Sequence, residues 1–188
     1  MSKPTFPQME HFFRLVEEDK ITVANFQAFL QNPGRFFAGF PVSYDQSLGL
    51  VSLIQRAVGE RNLRNIDRDI TPQRFKLAGT GVRTVNLRVE PSLDGETPEQ
   101  AAIRLRKVGH TLRNTGDLAG FLHDHPDEVE KWAWVLAISE DSRWSRSGGN
   151  VCVPCAFVGG ACRLFHLHGL RGQLDSRYGV LVSSESGD

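Results

Sequence analysis

Lys131-Trp132-Ala133-Trp134-Val135-Leu136-Ala137-Ile138, followed by the pair of runs Val151-Cys152-Val153-Pro154-Cys155-Ala156-Phe157-Val158 and Ala161 to His168, decides how this chain folds. The first run is apolar at successive positions, so both of its faces are dry. A short strand with two apolar faces belongs in the middle of a sheet. Trp132 and Trp134 lie two residues apart, which on a strand puts them on one face. The second and third runs flank Gly159-Gly160, a two-residue turn signal, and read as a β-hairpin. Centred there, the turn sets Val158 opposite Ala161, Cys155 opposite Leu164 and Phe157 opposite Cys162. Between the first run and the hairpin lies a polar loop, Ser142 to Gly149, that carries Trp144. An aromatic in such a loop either anchors into the core or contacts a partner, and anchoring is the commoner use.

The same stretch holds all three cysteines, Cys152, Cys155 and Cys162, with His166 and His168 close by. These are zinc ligand types. The hairpin opposes a zinc site. Cys155, Cys162, His166 and His168 fall on one face, whereas Cys152 is an odd number of residues from Cys155 and falls on the other. Cys162 and His166 would stand about 13 Å apart at a rise of roughly 3.3 Å per residue. Zinc needs its donors at about 2.0–2.3 Å, so no metal and no other cofactor is expected. A second group, His123-Asp124-His125-Pro126-Asp127, reads as a polar helix end, because Pro126 interrupts the helical geometry that would align its side chains. The chain has no nucleophile elbow, P-loop or dinucleotide fingerprint.

Upstream, Val82 to Glu90 alternates, with Val85, Leu87 and Val89 on one face, and predicts a half-buried strand. Thr97-Pro98-Glu99-Gln100 is a helix start with a capping box; Ala101, Leu105 and Val108 form its buried stripe and Gly109 stops it. Asn114 or Thr115 caps a further helix with Leu118, Phe121 and Leu122 inward. Phe36 to Tyr44 reads as extended, and Ser47 to Val58 as a helix. Glu60 to Arg74 mixes acids and arginines and reads as a solvated loop with surface ion pairs. At the start, Met9, Phe12, Phe13 and Val16, then Val23, Phe26, Phe29 and Leu30, follow helical spacing and end at Asn32-Pro33-Gly34. The expected organisation is a helical hairpin over 1–34 and an α+β domain over 35–184, with helices on a mixed, mostly antiparallel sheet.

The chain has 188 residues, with 22 basic and 22 acidic side chains. A balanced charge argues against nucleic acid as a partner, which would need a net basic face. No apolar stretch is long enough to span a bilayer, and the first residues lack the apolar core of a signal peptide. An odd number of cysteines suits a reducing compartment. A cytoplasmic protein with no membrane partner is the expectation.

The layout resembles a group of short uncharacterised proteins of small-genome, candidate-phyla bacteria. The residues that carry the resemblance are Phe26-x-x-Phe29-Leu30-Gln31-Asn32-Pro33, Leu105-x-x-x-Gly109, Thr115 to Phe121, Val135-Leu136-Ala137, Trp144, Val153-Pro154 and the tail from Leu167 to Val182. The resemblance implies a C-type-lectin-like C-terminal region, as in the variable proteins of diversity-generating retroelements, and hence a binding module. The chain departs from that group in its tail. No tryptophan lies between Gly169 and Val182, and Gly179 stands where arginine is expected. The calcium-and-sugar motifs of true lectins are absent.

These readings make the chain a non-enzymatic binding module for a protein or small ligand, displaying Arg171, Gln173, Asp175, Arg177 and Tyr178, with Trp144 beside them. Arginine and tyrosine supply contact area, and Gln and Asp supply hydrogen-bond specificity. Two alternatives stand: a zinc protein or enzyme using the Cys/His cluster, and a structural or assembly protein.

Overall fold

The computed structural model describes residues 39–77 and 79–184, so the expected helical hairpin over 1–34 lies outside the described residues. Those described form an α+β unit whose centre is an eight-stranded, mostly antiparallel sheet. Its strands are β1 (Phe40–Asp45), β2 (Val82–Pro91), β3 (His110–Leu112), β4 (Trp134–Leu136), β5 (Trp144–Ser145), β6 (Val151–Gly159), β7 (Cys162–Gly169) and β8 (Tyr178–Ser184). The helices are α1 (Leu50–Val58), α2 (Pro98–Lys107), α3 (Thr115–Asp124) and the short α4 (Pro126–Val129).

The sheet runs β1-β2-β8-β4-β6, with β3 also on β8 and with β5 and β7 also on β6. Every ladder between these strands is antiparallel except β4 with β8, where Trp134 stands beside Tyr178 and Leu136 beside Val180. The exception follows from chain direction. β6 reverses β4 and β7 reverses β6, so β7 runs with β4. The segment 170–177 then carries the chain back along the sheet before β8 begins, and β8 runs the same way.

Both faces of the central strands are dry, as the 132–138 run requires: Val135, Leu136, Ala137 and Ile138 are all buried. On one face Val135, Ala137, Ala156, Val158, Phe165 and Leu181 pack with α1, α3 and Phe75. On the other, Leu136, Ile138, Val153, Cys155, Val180 and Val182 pack with α2 and with Leu170 and Leu174 of the tail. α3 sits very close to β1. A Cβ on Gly120 would stand 2.8 Å from both Val42 and Tyr44 side-chain atoms, so a larger residue there would push the helix off the strand.

The capping box at Thr97 forms as expected: Thr97 Oγ1 accepts from the Gln100 N–H and Gln100 Oε1 accepts from the Thr97 N–H. Asn114 caps α3 by accepting from the Asp117 N–H. Val108, expected in the buried stripe of α2, is 64% exposed. It is the residue at which the helix ends, with φ −95° and ψ 13°, so it no longer follows the helical spacing that places Ala101 and Leu105 inward.

Two further expectations are corrected. Trp132 and Trp134 do not share a face: Trp132 packs on the α1/α3 side and Trp134 on the α2 side. Trp132 donates its N–H to Val129 O in a turn after α4, so the period of two begins after it. The hairpin turns one residue later than Gly159-Gly160 predicts. Gly159 pairs with Cys162, Cys155 with His166 and Phe157 with Leu164. The turn residues are Gly160, with φ +57°, and Ala161. Moving the turn centre by one residue slides the strands past one another by two, which preserves the side-chain alternation. Cys155 and Cys162 therefore keep a common face, as the alternation required.

Candidate functional site

The C-terminal return segment is tied down at many points. Leu170 and Leu174 are buried. Leu174 donates its N–H to Glu96 O at 2.7 Å and its carbonyl accepts from Gly95 at 2.9 Å. Ser92 Oγ stands 2.8 Å from both Asp175 O and Tyr178 O and shares its one proton between the two carbonyls. The Ser176 N–H reaches Asp94 at 2.8 Å. The 92–96 turn that makes these contacts is itself braced by Glu96, which accepts two hydrogen bonds from Arg104 at 2.8 Å. Burial alone would raise the Glu96 carboxyl, but the Arg104 guanidinium and the Leu93 N–H hold it below the usual range. A loop with two buried leucines and this many backbone anchors has little freedom left to lose on binding.

From that frame Arg171, Gln173 and Arg177 are exposed, while Asp175 and Tyr178 are half-buried. Arg177 and Asp175 engage each other, with Nη2 to Oδ2 at 2.6 Å, and this contact lowers the Asp175 carboxyl. The Tyr178 ring stands edge-on to His168 at 5.6 Å. Arg171 and Gln173 make no side-chain hydrogen bond or ion pair among the described residues.

The six expected residues do not form one patch. Tyr178 packs on the α2 face of the sheet and Trp144 on the opposite face. Arg74 lies over the Trp144 ring at 4.1 Å from its centre and pairs with Asp69, so Trp144 is both packed and covered by a cation. Trp144 stands at the β5 edge of the sheet, beside β6. Trp144 pairs with Cys152, and Cys152 pairs with Gly169. At that end of the sheet a cleft of about 380 Å³ opens, lined by Arg146, Cys152, Leu167, Leu170 and Arg171 among others. Arg146 is held by Asp67 at 3.1 Å and Asp69 at 3.4 Å.

On the α2 face, Trp134, Phe157, His166, His168 and Tyr178 make a half-buried aromatic strip. Trp134 stands 5.5 Å from Phe157 and 6.2 Å from His166, centre to centre. Trp134 is half-buried at the strand's first position, less enclosed than the buried Val135 and Leu136 that follow it. His168 donates from Nδ1 to Gly169 O at 2.9 Å. Burial pushes its pKa down, and this hydrogen bond offsets part of the shift. Cys155 is buried beneath the strip, and burial pushes its thiol well above the usual range. It is neither a thiolate ligand nor a ready nucleophile. Among the described residues no group of three or more His, Cys, Asp or Glu is placed to hold a metal ion.

Sequence reasoning missed one polar centre. Asp117, in the first turn of α3, is 1% exposed. Its Oδ1 accepts from Tyr44 Oη at 2.8 Å and from Arg83 Nε at 3.0 Å. Arg113 Nη1 lies 3.9 Å from its Oδ2, and Arg113 also donates to Ser183 Oγ. Burial and the neighbouring carboxylate push the Tyr44 phenol well above its usual range. The sequence signal was an acid in the first turn after an Asn cap, which reads as an ordinary dipole contact. Tyr44 and Arg83 come from distant strands, so no spacing announces them. The His123–Asp127 stretch has a structural use. Asp124 accepts from the Ser43 N–H and His125 donates to Pro41 O at 2.8 Å. These contacts satisfy β1 backbone groups at the sheet edge.

No protein-family model, no curated protein and no solved structure matches this chain. Among the described residues no helix is long and apolar enough to cross a membrane.

Proposed function

We propose that the chain is a non-enzymatic binding module with a C-type-lectin-like C-terminal region, whose display surface is the return segment Leu170 to Tyr178. The observation that carries this reading is the contrast within the segment. Its backbone is anchored by Leu170, Leu174, Ser92, Asp94 and Glu96, while Arg171, Gln173 and Arg177 face solvent. Polar side chains on a fixed backbone suit recognition, because the ordering cost of binding is small. The partner is a small ligand or a protein, and neither a nucleic acid nor a membrane. Calcium-dependent sugar binding has no support in the residues. A cytoplasmic setting fits three cysteines present as free thiols.

The test is a fragment screen read by ¹H–¹⁵N correlation spectra of the full chain. Fragments that bind are expected to shift amides of 146–152 and 167–178. The Arg177→Ala, Tyr178→Ala double variant, checked for an intact spectrum, is expected to weaken those that touch 173–178. A screen with no fragment on these segments, or binding unaltered by the double variant for fragments seated at 173–178, refutes the reading.

A further inference from the structure

We infer that the cleft at the start of β6 is a site for a small organic monoanion, a carboxylate carrying an apolar body. The inference rests on the binding-module reading and names the ligand class for one part of its surface.

Four observations carry it. The cleft holds about 380 Å³, within the range of small-molecule sites and too small for a folded partner. Its apolar surface comes from the half-buried Val151 and Leu167, over the buried Cys152 and Leu170. Two arginines line it, Arg146 and Arg171. They are not equivalent: Arg146 is engaged by Asp67 and Asp69, and Arg171 has no carboxylate partner among the described residues.

That asymmetry sets the charge of the ligand. Arg171 is one unmatched cation beside apolar walls, and a guanidinium recognises a carboxylate through two parallel hydrogen bonds. The apolar walls reward a hydrocarbon or aromatic body through burial. A di- or trianion would gain little more, because Arg146 is already neutralised. Asp67 and Asp69 would repel the extra charge instead. The site thus discriminates against polyphosphates as well as against neutral or cationic analogues of the same shape.

The test compares 4-phenylbutyrate with 4-phenylbutan-1-ol, which keeps the body and removes the charge. Binding to the full chain is followed by amide shifts. The carboxylate is expected to move Val151, Cys152, Leu167 and Gly169 to Gly172, and to bind about tenfold more tightly than the alcohol. Arg171→Gln is expected to abolish that preference, while Arg64→Gln, an exposed arginine outside both the cleft and the return segment, leaves it intact. Pyrophosphate is expected not to shift the cleft amides. Equal affinity for acid and alcohol, an equal loss in Arg64→Gln, pyrophosphate binding at the cleft, or carboxylate shifts elsewhere overturns the inference. Neutral fragments that seat on 167–178 while the carboxylate does not bind would overturn the ligand class and leave the display surface standing. Absence of every fragment from that surface overturns both.

Discussion

Replacing Asp117 by Asn should be among the most damaging conservative changes in the described fold. The substitution keeps size and shape but removes the negative charge that faces Arg83 and Arg113. Asp117 is 1% exposed, and breaking a buried ion pair costs about 3–5 kcal/mol because the partner is left uncompensated. Two features reduce the figure. The Asn oxygen can still accept from Tyr44 or Arg83, and the Arg83 side chain is 31% exposed, so water can solvate it. The Arg113 side chain is 17% exposed and bears the larger loss. The expected cost is about 3 kcal/mol, a large share of a total stability of roughly 5–15 kcal/mol. Tyr44→Phe, which removes one hydrogen bond to a charged acceptor, should cost about 1.5 kcal/mol. Urea unfolding followed by tryptophan fluorescence and by circular dichroism measures both, and their double variant measures the coupling. A cost below about 1 kcal/mol for Asp117→Asn, or one no larger than that of Arg83→Gln, would refute the view that this carboxylate holds α3 to β1 and β2.

Gly179→Ala should destabilise by about 1–3 kcal/mol through overpacking, because a Cβ there would stand 2.1 Å from Val89 Cγ1 and 3.0 Å from Trp132 Cδ2; an unchanged melting temperature would contradict that packing. Trp134→Ala should cost roughly 2 kcal/mol rather than the 3–5 of a fully buried aromatic, since Trp134 is only half-buried; urea unfolding of the variant decides between the two. Burial holds His110 and His168 below the ordinary histidine pKa. The unfolded chain therefore takes up protons first as pH falls. Stability should be level above about pH 6.5 and decline as pH drops from there through the folded-state values. His168→Gln should flatten that decline, which a set of urea titrations between pH 5 and 7.5 would detect; a slope unchanged by the variant would show that His168 does not contribute.

Local chemistry determined much of this protein before any tertiary contact was considered. The capping box at Thr97, the Asn114 cap, the alternation of Val85, Leu87 and Val89 and the doubly apolar run around Val135 depend on neighbours within a few residues, and each forms as its spacing requires. The face shared by Cys155 and Cys162 was equally legible, because side-chain alternation survives a displaced turn. The exposure of Arg171, Gln173 and Arg177 was legible too, as polar side chains among turn-forming glycines. Tertiary structure decided what spacing cannot encode. It put Trp132 and Trp134 on opposite faces, because a turn ending α4 fixes the first and the β4 ladder fixes the second. It joined Tyr44, Arg83, Arg113 and Asp117, drawn from two strands, a loop and a helix, into one buried polar centre. It separated Trp144 from Tyr178 by the thickness of the sheet and set Arg171 over a cleft beside Cys152 instead. Gly179 lies under Trp132 and Val89, where the closeness of two distant side chains, and no property of its sequence neighbours, leaves room for glycine alone.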